Sequence, residues 1–297
     1  LLTYERHHYV PSDSGRFSNT MEYSFDDWTV GQFAKALGKN DIYQKFNARG
    51  YWWKNAIDSD GYCHMRLSNG EWTKNFDPFR SGANAQYVEG NAWQMSYFVP
   101  QDVPALIKLI GAKKFTDRLE WGFEKSEPWR YNGLNDQYWD CPVEQGNEQT
   151  MQFPFLFNWA GKPWLTQKWS RSILDRYYGT GTGNAYLGDE DQGQMSAWFV
   201  MAAMGLFQMD GGSSAHPVYE IGSPLFKKIV IDLGNRYGRG KTFTIIAENA
   251  SHENMYVQKA VLNGKELKSF KFPAKVLLEC GTLELIMGSQ PNKKWGI

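Results

Sequence analysis

The hydrophobic periodicity of this chain changes once, at about residue 210, and the change limits the folds that the chain can form. Before it, apolar residues recur at the spacing of one helix face, as in the stripe of Val30, Phe33, Ala34 and Leu37. After it come short runs rich in β-branched residues, such as KIVIDL and TFTIIAE. We therefore expect a mainly α protein, with a helical domain over residues 1–210 and a smaller β-rich module over residues 211–297.

Capping and turn residues sharpen this expectation. Asp41 is the expected N-cap of a helix in DIYQKFNARGYWWKNAI, and Asp102 caps another that ends at Gly111. DQGQMSAWFVMAAMGLF is the most apolar helical segment. In the β-rich module, the dipeptide Asn263-Gly264 lies between two strand-like runs and predicts a hairpin turn.

Composition excludes several classes of protein. Lys and Arg number 32 against 32 Asp and Glu, so the chain lacks the basic excess of a typical nucleic-acid binder. No apolar run approaches the roughly 18 residues that indicate a membrane span, and no CxxC pair indicates a zinc site. Aromatic residues make up 16% of the chain. They indicate either an aromatic-rich core or flat surfaces that contact a ring-shaped polar ligand such as a sugar.

Two segments place acids where the helical pattern expects apolar residues. Asp26 and Asp27 lie one turn before Val30, and they are either a capped first turn or part of a site. In YVEGNAWQMSYF, Glu89 lies near Trp93 and Gln94 at the predicted start of a helix over residues 89–98. Aromatic surroundings disfavour the charged form of an acid, which suits a general acid.

Two further segments carry oxygen ligands and carboxylates. Gln145, Asn147 and Glu148 crowd a glycine turn, which is either an ordinary polar loop or a set of hard ligands suited to Ca²⁺. In GDEDQGQMSAW, Asp191 extends the apolar face of the following helix back to its N-terminus, where the helix dipole favours the ionised form. Asp189 is a second carboxylate within reach. Glycoside hydrolysis uses a pair of carboxyl groups in which one is protonated and the other is ionised.

The chain resembles the C-terminal part of the catalytic region of glycoside hydrolase family 92. The resemblance is carried by EYSFDDW, EGNAWQMSYFVPQDV, QGNEQ with FLFNWAGKPW, GDEDQGQMSAWFVMAAMGLF, YEIGSPLF, VLNGKEL and MGSQPNKKWG, in this order along nearly the whole chain. It implies a calcium-dependent, inverting exo-α-mannosidase, mostly found in bacteria, that acts on mannose-containing oligosaccharides or N-glycans. It also implies an (α/α)6 barrel, of which this chain holds only a part. An N-terminal β-sandwich, on another segment of the protein, is expected to precede the barrel. A periplasmic, cell-surface or secreted location follows from the same resemblance.

The resemblance also assigns roles to individual residues. Glu89 matches the general acid, and Asp191 matches the base that activates water, with Asp189 assisting. The QGNEQ loop matches the region that supplies the calcium ligands, for which Asn147, Glu148 and Gln145 are the candidates. The side chains expected to contact the substrate are Trp93, Gln94 and Asp27.

This chain departs from the family pattern at the calcium loop. Many members have Asn-Glu-Pro where this chain has Asn147-Glu148-Gln149. Members that cleave α-1,2 linkages often have a His just before that loop, where this chain reads Val143-Glu144-Gln145. The linkage is therefore left open. Because Glu89 is present, the chain is not expected to be one of the family members that lack the general acid. Two alternatives stay open: a non-catalytic carbohydrate-binding or scaffold fragment, and another six-hairpin glycosidase or phosphorylase.

Overall fold

The computed structural model describes residues 1–80, 86–128, 142–183, 185–186, 188 and 190–297. They form two compact units, each of which is described by itself. The first holds the described residues of 1–151 together with 213–215, and the second holds those of 152–212 and 216–297. The predicted domain boundary at residue 210 marks where helices give way to strands, which is a different division of the chain, and it stays a prediction.

The first unit is helical. Its helices in the described residues are α1 (Leu2–His7), α2 (Asn19–Ala36), α3 (Asn40–Arg49), α4 (Ala92–Met95), α5 (Val103–Ile110) and α6 (Ala112–Ser126), with short 3-10 helices at Trp52–Ala56 and Glu148–Thr150. Asp102 caps α5 as predicted, since its Oδ1 accepts the Ala105 N–H at 3.2 Å. Helix α3 begins at Asn40 after Lys39, so Asp41 lies in its first turn and is not the cap.

The predicted apolar stripe of α2 does not form its buried face. Val30, Phe33 and Leu37 are 44%, 66% and 57% exposed, and only Ala34 of the four is buried. The buried face lies on the other side of the helix, where Gly31 lets the backbone of α3 approach so closely that a Cβ there would meet Asn47 N at 3.0 Å. Periodicity identified the helix, but close helix packing selected a different face.

The second unit combines helices and strands. Its helices are α7 (Phe153–Trp159), α8 (Pro163–Tyr177), α9 (Gln194–Met204) and α10 (Ala274–Leu278), and a 3-10 turn, Asp191–Gly193, precedes α9. Its strands are β1 (Leu206–Phe207), β2 (Val218–Ile221), β3 (Lys228–Asp232), β4 (Thr242–Glu248), β5 (Tyr256–Leu262), β6 (Lys265–Glu266), β7 (Lys271–Pro273) and β8 (Gly281–Gly288). The helical and β-rich character predicted for the two parts of the chain is therefore observed.

The strands form two sheets. One has the order β1-β2-β7, and the other has the order β3-β4-β8-β5-β6, in which only the β4–β8 pair is parallel. Alternate residues of β4 and β8 are buried and the residues between them are not, as expected for strands with one face in a core. Asn263 and Gly264 have φ of 50° and 76° between β5 and β6. Positive φ at both central residues is the type I′ geometry that this dipeptide favours, so the predicted hairpin is confirmed.

Within the described residues, no helix combines the length and hydropathy needed to cross a bilayer.

One carboxyl group is completely enclosed in the second unit. Glu220 on β2 is 0% exposed and accepts hydrogen bonds from Asn158 Nδ2 at 3.1 Å and from Trp159 Nε1 at 2.7 Å. These bonds tie the end of α7 to the smaller sheet. Burial raises the pKa of Glu220 to about 8, although the two donors and the positive charge of Lys271 oppose the shift.

This raised pKa predicts that stability falls as the pH rises. Glu220 keeps its proton in the folded chain up to about pH 8, whereas the unfolded chain loses it near about pH 4.3. The stabilising contribution is therefore complete below the unfolded pKa and is lost as the pH rises through the folded pKa. Glu220→Gln cannot lose a proton, so we expect its unfolding free energy not to show this decrease. The difference in unfolding free energy, variant minus wild type, should grow by up to about 1 kcal/mol per pH unit between pH 5 and 8.

Urea unfolding at pH 5, 6.5 and 8 measures this difference. Glu248→Gln on the exposed side of β4 is the matched control and should follow wild type. Parallel pH profiles of wild type and Glu220→Gln would contradict the assignment.

Candidate active site

Glu89 lies in a loop immediately before α4. The predicted helix over residues 89–98 begins later, because Asn91 forms a capping box with Gln94: Asn91 Oδ1 accepts the Gln94 N–H at 2.9 Å, and Gln94 Oε1 accepts the Asn91 N–H at 3.1 Å. Gly90, between Glu89 and Asn91, leaves room for this cap, since a Cβ there would come within 2.4 Å of Gln94 Oε1. Gln94 is fully buried in this cap, and the side chain of Glu89 stays exposed.

The backbone of Glu89 is left-handed, with a φ of 48°. This conformation is uncommon for a residue with a long side chain. It costs about 1–3 kcal/mol and persists only where surrounding contacts hold it. Two amides from the QGNEQ loop do so. Asn147 Nδ2 donates to the carbonyl oxygen of Glu89, and Gln149 Nε2 donates to that of Val88 at 2.9 Å. The predicted acid and the predicted calcium loop are therefore joined by hydrogen bonds.

A cavity of about 300 Å³ opens beside this junction. It combines three carboxyl groups, one amide and an apolar wall, and its lining residues are Glu22, Val88, Glu89, Met95, Phe98, Glu148 and Gln149. Two residues predicted to act in one site, Glu89 and Glu148, thus face the same space. A concave space with a few polar groups and an apolar wall is the usual form of a small-molecule site.

Glu22 was not expected at this cavity. It lies in the first turn of α2 and is partly buried. Burial raises the pKa of its carboxyl group, and the negative charges of Asp26, Glu148 and Glu89 raise it further, while Arg16 opposes them. The sequence gives one weak signal, an acid one turn before Asp26, and does not show that Glu22 would meet residues more than 60 positions later.

The loop that carries the metal-ligand candidates is held by its own atoms. Glu144 Oε1 accepts the Gly146 N–H at 2.9 Å, and Thr150 Oγ1 donates to the carbonyl oxygen of Glu144. Gln145 is fully buried, and its Nε2 contacts Met151 Sδ at 3.4 Å, so its side chain does not line the cavity. Glu148, which follows, does line it.

Asn147 offers an oxygen ligand next to Glu148. It is 1% exposed, and in the described part of the chain its Oδ1 has no hydrogen-bond partner, although its Nδ2 is engaged with Glu89. A buried acceptor without a donor is a rare and costly arrangement that a cation would relieve. Amide and carboxylate oxygens are the donors that Ca²⁺ prefers, so Asn147 and Glu148 fit this ion. Among the described residues, no three His, Cys, Asp or Glu side chains cluster closely enough to hold a metal by themselves.

Trp93 lies in the core and not in the cavity wall. It is 0% exposed, and its ring packs against Tyr97 at 5.0 Å and Trp121 at 6.3 Å between centroids. Gly122 leaves room for it, because a Cβ at that position would come within 2.3 Å of the ring. Trp93 therefore supports the first turn of α4 from within the core.

Asp27 is engaged by a buried cation. It is 8% exposed, and its Oδ2 accepts hydrogen bonds from Arg49 Nε at 2.7 Å and from the Tyr4 hydroxyl at 3.3 Å. Arg49 also pairs with Glu5 at 2.7 Å. Asp27 does not line the cavity, and its neighbour Asp26 is exposed outside it. The contacts of Asp27 are those of a structural ion pair.

Asp191 belongs to the second unit. It is exposed, with a φ of 46°, and the left-handed conformation continues through Gln192 and Gly193 at 61° and 95°. Helix α9 starts only at Gln194, because the carbonyl oxygen of Glu190 accepts the N–H groups of Gly193 at 3.1 Å and Gln194 at 2.9 Å. Asp191 therefore precedes the predicted helix in a tight turn. Asp189 lies outside the described residues.

Comparisons with known proteins agree with these motifs. The model of the glycosyl hydrolase family 92 catalytic domain matches residues 1–289. A protein described as an uncharacterized secreted glycosidase, from Arthroderma benhamiae, is 32% identical over 305 residues, which cover 94% of this chain and 36% of that protein.

Solved structures give the same result. A family GH92 α-mannosidase from Bacteroides thetaiotaomicron, in complex with mannoimidazole, has a TM-score of 0.87 and 31% identity over 99% of this chain and 39% of its own. A family GH92 inverting mannosidase from the same species has a TM-score of 0.83 and 29% identity over 99% of this chain and 40% of its own. This chain thus spans well under half the length of each of these relatives.

Removal of Asp27 tests whether its role is structural. Asp27→Ala leaves the buried Arg49 with only the half-exposed Glu5 as a partner. We expect a loss of about 3 kcal/mol in unfolding free energy, the lower end of the range for a broken buried pair. Glu5→Gln should cost less than about 1 kcal/mol. Denaturant unfolding of both variants measures this, and a fully stable Asp27→Ala would return Asp27 to the candidates for ligand contact.

Proposed function

Because the chain belongs to glycosyl hydrolase family 92, we propose that it is the catalytic part of an inverting, calcium-dependent exo-α-mannosidase. Its substrates are terminal α-mannosides of oligosaccharides or N-glycans. The observation that carries the proposal is that Glu89 and Glu148 line one cavity, and that Asn147, next to Glu148, donates a hydrogen bond to the main chain of Glu89. The names of the solved relatives, a family GH92 α-mannosidase and an inverting mannosidase, support the substrate and the stereochemistry.

Glu89 is the proposed general acid, which donates its proton to the glycosidic oxygen as the bond to the sugar breaks. The amide of Asn147 holds the main chain of Glu89, while the side chain of Glu89 is exposed beside the cavity. The backbone is thus fixed and the carboxyl group is open to a substrate. An exposed carboxyl group that lines the cavity supports its assignment as the acid of an exo-acting enzyme.

Asp191 is the proposed base, with Asp189 assisting. It removes a proton from the water that attacks the anomeric carbon on the face opposite the leaving group. Inversion requires about 6.5–9.5 Å between the acid and the base, which leaves room for this water. The left-handed turn before α9 holds the Asp191 side chain exposed, as a base that must reach water needs to be.

Calcium is the proposed cofactor, held by Asn147 and Glu148, with Gln145 as a weaker candidate. When bound, the ion would supply positive charge that holds the 2- and 3-hydroxyls of mannose. The unpartnered Asn147 Oδ1 and the cavity-facing Glu148 support this site. The contact of Gln145 Nε2 with Met151 gives that side chain a structural role of its own.

Fold type and location are also proposals. We assign the helical part to an (α/α)6 barrel whose remaining helices lie on another segment. An N-terminal β-sandwich precedes this barrel. A secreted, periplasmic or cell-surface location fits a glycan-degrading enzyme, and the word secreted in the name of the fungal relative supports it.

Substitution of the acid tests the proposed activity. We expect Glu89→Gln to lower kcat/KM on an unactivated mannobiose by about 100-fold or more, because the leaving oxygen then receives no proton. A dinitrophenyl mannoside, whose leaving group needs no proton, should lose much less. Proton NMR of the mannobiose reaction measures the rate and shows whether β-mannose forms first, as inversion requires.

Glu124→Gln, on an exposed position of α6, is the control and should retain wild-type rates. Full activity of Glu89→Gln on mannobiose would contradict the acid assignment. Initial release of α-mannose would contradict inversion. Mannose binding without hydrolysis by wild type would favour the non-catalytic alternative.

Calcium removal tests the cofactor. A chelator should abolish hydrolysis, and added Ca²⁺ should restore it. Asn147→Ala should weaken Ca²⁺ binding in calorimetry by about 10-fold or more, whereas Asn147→Asp keeps an oxygen ligand and should bind the ion. Wild-type Ca²⁺ affinity in Asn147→Ala would show that the ion binds elsewhere.

A further inference from the structure

Glu22 is held next to the predicted acid by the start of its own helix. Ser18, just before α2, donates its N–H to the carbonyl oxygen of Gln86 at 2.9 Å, and its Oγ accepts the Val88 N–H at 3.0 Å. Two hydrogen bonds thus join the N-terminus of α2 to the loop that ends in Glu89. Glu22 lies one turn into that helix, so its place at the cavity is fixed by backbone contacts.

The carboxyl group of Glu22 has neither a hydrogen-bond donor nor a cation as a partner among the described residues. In the described part of the chain, no group donates a hydrogen bond to it, and no cation pairs with it within 4 Å. It is nonetheless partly buried and has three other carboxyl groups near it. Because Glu22 lines the cavity, its oxygens can accept a hydrogen bond from a ligand that brings a donor.

The rest of the cavity indicates which donors fit. Met95, Phe98 and Val88 form an apolar wall, while Glu22, Glu89 and Glu148 supply acceptors. A pyranose ring has C–H faces that suit an apolar wall, and hydroxyl groups at its rim that donate to carboxylates. A sugar hydroxyl therefore matches both the vacant acceptor and its surroundings.

We propose that Glu22 is a substrate-binding residue whose carboxylate accepts a hydrogen bond from a hydroxyl group of the sugar on which Glu89 acts. This inference rests on the proposed function and adds a residue to it. Glu22 neither donates the proton nor activates water. It orients the sugar, and its loss therefore weakens the productive complex without removing the chemistry.

Substitution of Glu22 in the native polypeptide tests this role. A hydrogen bond to a charged group contributes about 1.5–3 kcal/mol, so Glu22→Ala and Glu22→Gln should lower kcat/KM on a mannoside by about 10- to 150-fold. Asp26→Asn, which removes a neighbouring charge outside the cavity, is the matched control and should stay within about threefold of wild type. Unchanged melting temperatures establish that the variants are folded.

Mannosides that each lack one hydroxyl group distinguish substrate binding from a structural role, because a structural defect would affect all of them equally. On the one analogue that lacks the hydroxyl bound by Glu22, Glu22→Ala should have the same kcat/KM as wild type. On the other analogues, its kcat/KM should stay lower than that of wild type. Calorimetry should show Ca²⁺ affinity within about twofold of wild type in Glu22→Ala.

Three results would overturn the inference: wild-type kcat/KM in both variants, an equal penalty on every analogue, or a large loss of Ca²⁺ affinity, which would make Glu22 a metal ligand. Each leaves the proposed function intact if wild type hydrolyses mannosides. A wild-type polypeptide that neither binds nor hydrolyses mannosides would overturn both proposals.

Discussion

The candidate site depends on one hydrogen bond, from the amide of Asn147 to the carbonyl oxygen of Glu89. A glutamate in left-handed backbone is not stable by itself, so its conformation needs outside contacts. Gln149 and Ser18 supply two more by binding both polar atoms of the Val88 backbone. Glu89 is therefore held by two other segments of the fold, the QGNEQ loop and the residue before α2, and the helix that follows it, α4, contributes only through its cap.

The same bond explains why an asparagine suits this position. Its Nδ2 is used for the acid loop, and its Oδ1 remains buried without a partner in the described residues. Aspartate would offer the oxygen without the donor, and alanine would offer neither. Under the proposed function, a single amide would hold the backbone of Glu89 and bind the cation, so the geometry of the proposed acid would depend on occupation of the proposed metal site.

Local chemistry in the sequence predicted local structure well. The Asn263-Gly264 turn and the Asp102 cap are observed because both depend on residues within a few positions of each other. The buried face of α2 was wrongly predicted, because the choice of face depends on α3 and not on the period of the helix itself. Glu22 was missed for the same reason, since its neighbours at the cavity lie 67 and 126 positions further along the chain.

The partners of an acid, more than its burial, separate structural carboxyl groups from candidate functional ones in this protein. Glu220 is the most buried, yet Asn158 and Trp159 both donate to it, and its role is to join α7 to a sheet. Asp27 is nearly as buried and has Arg49. Glu22 is less buried than either and has no donor in the described residues, although it lines a cavity. An acid that has no donor from the described residues and lines a cavity is therefore the one whose carboxylate can accept a hydrogen bond from a molecule outside the chain.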